Sequence, residues 1–167
     1  INEENLIEKE MVSGVSHSTN ESKITVSGVP DKPGISATIF GILSNHKINV
    51  DMIVQNTSQD GISANMTFTV QTNEMDIAKN LLEKSKLNID YKSITTDSNV
   101  AKVSVIGVGM KSQSGVAQKM FQTLADHKIN ILAISTSEIK ISVLIDQKHT
   151  EKAIKTLHKA YKLRKTN

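Results

Sequence analysis

His46-Lys47-Ile48-Asn49 and His127-Lys128-Ile129-Asn130 are one tetrapeptide written twice in a chain of 167 residues. The segments ahead of it repeat as well, Ile24-Thr25-Val26-Ser27-Gly28 aligning with Val103-Ser104-Val105-Ile106-Gly107. These segments lie 79 residues apart (24 to 103) and the histidines 81 (46 to 127), so the second copy carries two extra residues between them. A period near eighty exceeds the roughly 20–50 residues of solenoid repeats and suits tandem small domains, each with its own core. Each would hold about 70 residues, small enough to lean on its neighbour for burial.

In the first copy, residues 23–29 alternate polar and apolar side chains (Ile24, Val26, Val29) and read as a strand closed by Pro30-Asp31-Lys32-Pro33-Gly34. Ile35, Ile39, Ile42, Leu43 and His46 recur at three and four, which predicts a helix over about 35–47 with Pro33 near its first turn. Residues 49–55 read as a second strand, 56–63 as a polar loop and 64–70 as a third strand. A helix over 74–85, capped at Thr72 or Asn73, and a strand over 89–95 complete a βαββαβ order. The second copy repeats it as strand 102–107, helix 115–127, strands 130–135 and 139–145, and helix 150–161, and lacks the last strand.

A strand-like piece, Met11-Val12-Ser13-Gly14-Val15-Ser16, precedes the first copy. An open sheet edge invites pairing, so this strand is expected to complete the second sheet, with the first domain inserted between the pieces. The expected domains are 22–97 and 98–163 plus strand 11–17, with 1–10 and 164–167 as flexible ends. The fold class is α+β, two tandem ferredoxin-like domains.

Composition narrows the function. The chain has no cysteine, hence no disulfide framework or thiolate metal site, which fits a cytoplasmic setting. No apolar run approaches the ~20 residues of a membrane span, and the acidic start is unlike a signal peptide. The absence of an initiator methionine suggests a piece of a longer chain. The net charge is +3, much of it from the end of the chain, where six lysines and Arg164 face Glu151 alone between 148 and 167. That tail reads as a solvated helix face rather than a nucleic-acid surface. Phe40, Phe68, Phe121, Tyr91 and Tyr161 are the whole aromatic supply, too few to stack bases.

No catalytic constellation is present. His17, His46, His127, His149 and His158 are scattered, with no HExxH spacing, so no metal or other cofactor is expected. His46 and His127 fall at predicted helix ends, where a histidine caps carbonyls. No GxSxG elbow occurs, and Gly107-Val108-Gly109-Met110-Lys111-Ser112 is only loosely a phosphate loop, Met110 separating glycine from lysine. The strand-to-helix turns carry more. A helix N-terminus offers unpaired N–H groups to a carboxylate, and Asp31 or Asp51 could take an ammonium, the two ends of a free amino acid. On the residues alone, Asp31 reads equally as a turn former and Asp51 as a surface residue.

Val29-Pro30-Asp31-Lys32-Pro33-Gly34, Asn49-Val50-Asp51-Met52-Ile53-Val54-Gln55-Asn56, Thr67-Phe68-Thr69-Val70 and the run from Ile134-Ser135-Thr136-Ser137-Glu138-Ile139 to Ile145 resemble the regulatory region of aspartate kinase. The resemblance runs from about residue 11 to 163. It implies paired ACT domains that bind lysine, threonine or both between two chains of a homodimer. Their target is the phosphorylation of aspartate that opens lysine, threonine and methionine biosynthesis. It also implies a kinase domain or subunit as partner, that domain being absent here, and neither nucleic acid nor membrane. Carried over position by position, one effector shell is Asp31, Lys32, Pro33, Gly34, Ile35, Ser36, Asn49, Val50, Asp51 and Gln55. The other is Val116, Ala117, Asn130, Ile131, Ser137 and Glu138. Ser36 stands where alanine is common and Ala117 where many relatives have threonine, so a hydroxyl has moved between the shells. Two alternatives share the strand order: the small regulatory subunit of acetolactate synthase, and a ferredoxin-like RNA-binding protein.

Overall fold

The computed structural model describes residues 12–107 and 113–163. The expected flexible ends, Met11 and residues 108–112 lie outside them.

The elements are β1 (Val12–Pro30), α1 (Ile35–Asn45), β2 (Ile53–Thr57), β3 (Ser63–Gln71), α2 (Met75–Lys84), α3 (Lys86–Ile89), β4 (Ser93–Gly107), α4 (Gln113–Asp126), β5 (Ala133–Thr136), β6 (Lys140–Asp146) and α5 (Thr150–Ala160). The chain divides into two compact units, Asn20–Ser98 and Ile1–Thr19 with Asn99–Asn167. Both β1 and β4 cross that division, so each gives one part to each unit.

In the first unit, 20–98, the strands run β2-β3-β1-β4. Antiparallel register pairs Ile24 with Phe68 and Pro30 with Ser63, and Gln55 with Met66. Alternation along β1 and β3 sends Ile24, Val26, Ala64, Met66, Phe68 and Val70 into one core with Ile39, Leu43 and Leu82 of the helices. Phe40 meets Phe68 edge-on at 5.5 Å. The β1–β3 register shifts between Val26 and Val29. Gly28 sits in that shift at φ +69, and a Cβ there would fall 2.7 Å from the Lys92 side chain.

In the second unit the strands run β1-β4-β6-β5. Val103 pairs with Val143 and Thr136 with Ile141. Val12 is buried in this unit's core with Val103, Val105, Met120, Leu124 and Leu157, and the Ser13 hydroxyl donates to the Ile106 carbonyl at 3.2 Å. The N-terminal strand therefore completes the second sheet, restoring the βαββαβ arrangement in permuted order. Buried Ser104 and Ser142 join hydroxyls at 2.6 Å across it.

Four sequence expectations need correction. The strands at 11–16 and 23–29 are one 19-residue strand, because the first half pairs in one unit and the second half in the other. The strands at 89–95 and 102–107 are likewise one, β4, while Ile89 is helical and buried. The second strand begins at Ile53 instead of residue 49 and runs on to Thr57. The cap expected at Thr72 or Asn73 is replaced by a 3-10 turn, Thr72–Glu74, with α2 starting at Met75 and no side chain capping it.

The repeated tetrapeptide ends α1 and α4 identically. The His46 ring nitrogen Nδ1 bonds the Ile42 carbonyl at 3.0 Å, and that of His127 bonds the Thr123 carbonyl at 2.8 Å. Lys47 and Lys128 both adopt φ +58. Ile48 N–H reaches back to the Leu43 carbonyl and Ile129 N–H to that of Leu124, the six-to-one bond of a Schellman motif. Both histidines are helix caps.

Candidate functional site

The turn after β1 is tied down before α1 begins. Asp31 N–H donates to the Ile62 carbonyl at 3.0 Å and Lys32 N–H to that of Pro30 at 3.1 Å. Gly34 turns the chain at φ +94, a conformation that favours glycine, and the Thr38 hydroxyl donates to its carbonyl at 3.0 Å. No side chain caps α1 at Gly34, and its first turn carries no acid, so the end presents backbone N–H groups and a positive dipole. Asp31, Lys32, Pro33 and Gly34 are exposed, Ser36 is half-buried, and Ile35 is buried as the anchor of the turn.

Asn49, Val50 and Asp51 lie elsewhere. Asp51 N–H donates to the Thr69 carbonyl at 3.0 Å, and Met52 N–H to the Thr69 hydroxyl at 3.0 Å. Asp31 is bonded beside Ile62 and Asp51 beside Thr69, seven residues along one extended segment, or about 24 Å. The reason is topological: β1 climbs to the turn, α1 returns, and the next segment starts again from the bottom. Gln55, exposed and opposite Met66, stands between the two ends.

The second shell divides the same way. Ser137 and Glu138, both exposed, lie in the hairpin before β6, where Gly107 N–H donates to the Ile139 carbonyl at 2.8 Å. Val116 and Ala117 lie early in α4, at that same end. Asn130 and Ile131 precede β5, whose first residue pairs with Leu144, so they sit at the opposite end. Val116 is buried, and its carbonyl accepts the Tyr161 hydroxyl at 2.6 Å. Burial pushes the Tyr161 phenol well above the ordinary tyrosine value. Lys119 lies over its ring, 5.2 Å from the centroid.

The repeat contains a second length change that sequence alignment alone did not register. Val26 and Val105, equivalent in the repeat, face Met66 and Ile141, which in turn face Gln55 and Thr136, and these stand six residues after Asn49 and Asn130 respectively. The approach to the edge strand is therefore equal in the two units, Asp51 corresponding to Leu132, and the N–H of each donates to the equivalent carbonyl, Thr69 or Leu144. The change lies in the hairpin that follows, where Met66 stands eleven residues after Gln55 and Ile141 only five after Thr136. Its acid, Asp60, accepts the Ser58 hydroxyl and, at 2.9 Å, the Ile62 N–H, and these bonds hold its carboxyl below the usual range. From the sequence alone this hairpin reads as the polar loop 56–63; the register that makes it longer than its counterpart emerges only in the structure.

Among the described residues no group of three or more His, Cys, Asp or Glu is placed to hold a metal, and no helix is long and apolar enough to cross a membrane. Phe68 is fully buried against Phe40, which leaves it no face for a base.

The ACT domain family matches residues 23–87 and again residues 103–161, one match in each unit. The chain is 46% identical over 163 residues to the aspartate kinase of Pseudomonas fluorescens and 48% over 157 residues to the aspartokinase of Helicobacter pylori. These matches take in 98% and 94% of the chain but only 39% and 38% of those curated relatives. Among solved structures, a chain from a crystal structure of aspartokinase alpha and beta subunits superposes with a TM-score of 0.85 at 45% identity, covering 91% of this chain and 99% of that one. The ligand-free regulatory subunit of aspartate kinase from Thermus thermophilus gives 0.84 at 37% identity, covering 90% and 98%.

The molecule is thus a tandem ACT-domain protein, its second domain completed by the N-terminal strand. Its full-length agreement with isolated subunits narrows this further. The chain belongs to the aspartate kinase family and corresponds to its regulatory region. That assignment displaces the acetolactate synthase and RNA-binding alternatives.

Proposed function

We propose that this chain is the feedback sensor of aspartate kinase, binding lysine, threonine or both at seats shared by the ACT domains of two copies and acting on a kinase domain or subunit of the same enzyme. The separation of Asp31 from Asp51 supports this reading most directly. At about 24 Å they lie too far apart for one amino acid to touch both within a unit.

A second copy removes the difficulty. The edge strand β2 keeps Ile53 half exposed, and an open edge is a template for pairing. Antiparallel pairing of β2 with its copy brings one chain's Asp51 to the end that carries the other's Asp31 turn. The effector carboxylate then meets the first turn of α1 and its ammonium a carboxylate, so neither charge is buried unpaired. An effector that favours one packing of the two copies shifts the kinase by that difference in affinity, typically about 1–3 kcal/mol.

Mixing two inactive variants tests the shared seat. Asp31→Ala and Asp51→Ala chains should each bind effector poorly, and their mixed dimers should regain binding at one seat of two. If the mixture binds no better than its components, the shared seat is wrong.

A further inference from the structure

α2 and α5 are equivalent in the repeat, Ala78 matching Ala153 and Leu82 matching Leu157, all four buried. Their outward faces differ. On α5 that face carries Lys152, Lys155 and Lys159 at spacings of three and four, and Lys148 and Lys162 continue the spacing just before and just after the helix. All five are exposed, and among the described residues none of their ammonium groups is in an ion pair. Glu151 is the only acid of α5, so the row keeps an excess of positive charge. The same positions of the first unit hold Asn73, Ile77, Asn80, Lys84 and Leu87. The fold itself therefore asks for no such row.

The complementary charge lies at the start of the chain, where residues 1–11 hold Glu3, Glu4, Glu8 and Glu10 against Lys9 alone. They lead into Val12, buried in the same core as Leu157 and Tyr161. Two hydrogen bonds fix where they enter. The Ser13 hydroxyl donates to the Ile106 carbonyl near the end of β4, and the Tyr161 hydroxyl to the Val116 carbonyl early in α4, the helix that follows. The acidic segment thus joins the second unit at the end where α5 finishes. We propose that residues 3–10 dock back along the lysine row of α5 as a salt-sensitive clasp, with Glu8 and Glu10 toward Lys159 and Lys162 and Glu3 and Glu4 toward Lys148 and Lys152. The lengths agree, residues 3–10 spanning about 24 Å when extended and the row about 21 Å at helical rise. Single exposed pairs are weak, so the clasp works as a set, helped by the high local concentration of a segment tethered beside the face it binds. The first unit has neither partner: residues 85–92, which lead into its corresponding strand, hold Asp90 against Lys86 and Lys92.

The chain has no cysteine, so Asn2→Cys offers one site for a nitroxide label, placed beyond the four acids. In the isotope-labelled full chain at low salt, the label should broaden the amide signals of residues 149–155 severalfold more than in the same chain carrying Lys152→Gln, Lys155→Gln and Lys159→Gln. The effect should vanish at about 1 M salt, where the screening length is ~3 Å. The three lysines are exposed, so the triple variant should keep its Tm. Absence of broadening without the substitutions, or broadening undiminished by them or by salt, overturns the clasp. Broadening that disappears when the doubly labelled chain is diluted into unlabelled chain assigns the face to another copy's segment and overturns docking within one chain.

Discussion

The two units share a fold and differ in how they are assembled. The first, 20–98, is built from one continuous segment; the second borrows residues 12–19 from the far end of the chain. The first also has an acid, Asp51, where the second has Leu132, and a longer hairpin braced by Asp60. The second has Leu132, Ile134 and Ile139 exposed along the corresponding edge and hairpin, with no acid corresponding to Asp51 in the approach. Duplication thus preserved the core and the caps while the strand ends diverged. The divergence falls where the candidate effector shells lie, as expected if a core is constrained by packing and a loop by its ligand.

Removing residues 1–17 attacks the largest difference. The second unit should lose Val12 from its core and a pairing strand, and unfold while the first keeps its protected amides in hydrogen exchange. Equal loss of protection in both units would contradict the permuted assembly.

A smaller effect is expected at Tyr161. Tyr161→Phe removes the hydroxyl bonded to Val116 and should cost the second unit about 1–2 kcal/mol in urea unfolding. The same variant has a pH signature. Folded Tyr161 keeps its proton above the ordinary tyrosine value, so above pH ~10 the unfolded state binds fewer protons and stability falls as pH rises. Tyr161→Phe should reduce that alkaline loss in the second unit, while Tyr91, its phenol raised by burial and by Glu83, retains its own in the first.

The smallest effect tests what the units share. Lys47 and Lys128 adopt the left-handed conformation that glycine takes without strain, so Lys47→Gly and Lys128→Gly should each stabilise their unit, by about 0.5–1 kcal/mol. Thermal unfolding that shows gain in one and loss in the other would mean that the two caps are not equivalent.

Much of this was legible in the residues. The tetrapeptide announced the duplication and both caps, and the unpaired start of the chain announced the borrowed strand. The lengths of β1 and β4 were not legible, because alternation cannot reveal that one strand serves two units; Thr19 and Asn20 look like a break and are not one. The position of Asp51 was hidden for a related reason. Its neighbours Val50 and Met52 alternate as a strand should, and only the register against Thr69 places it at the end away from Asp31.

Isothermal titration of this chain with lysine, with threonine, and with each in the presence of the other tests the central claim most directly. The account predicts saturable binding of at least one, with an affinity that changes when the other is present. Silence from both, in a sample shown to be folded and dimeric, would contradict it.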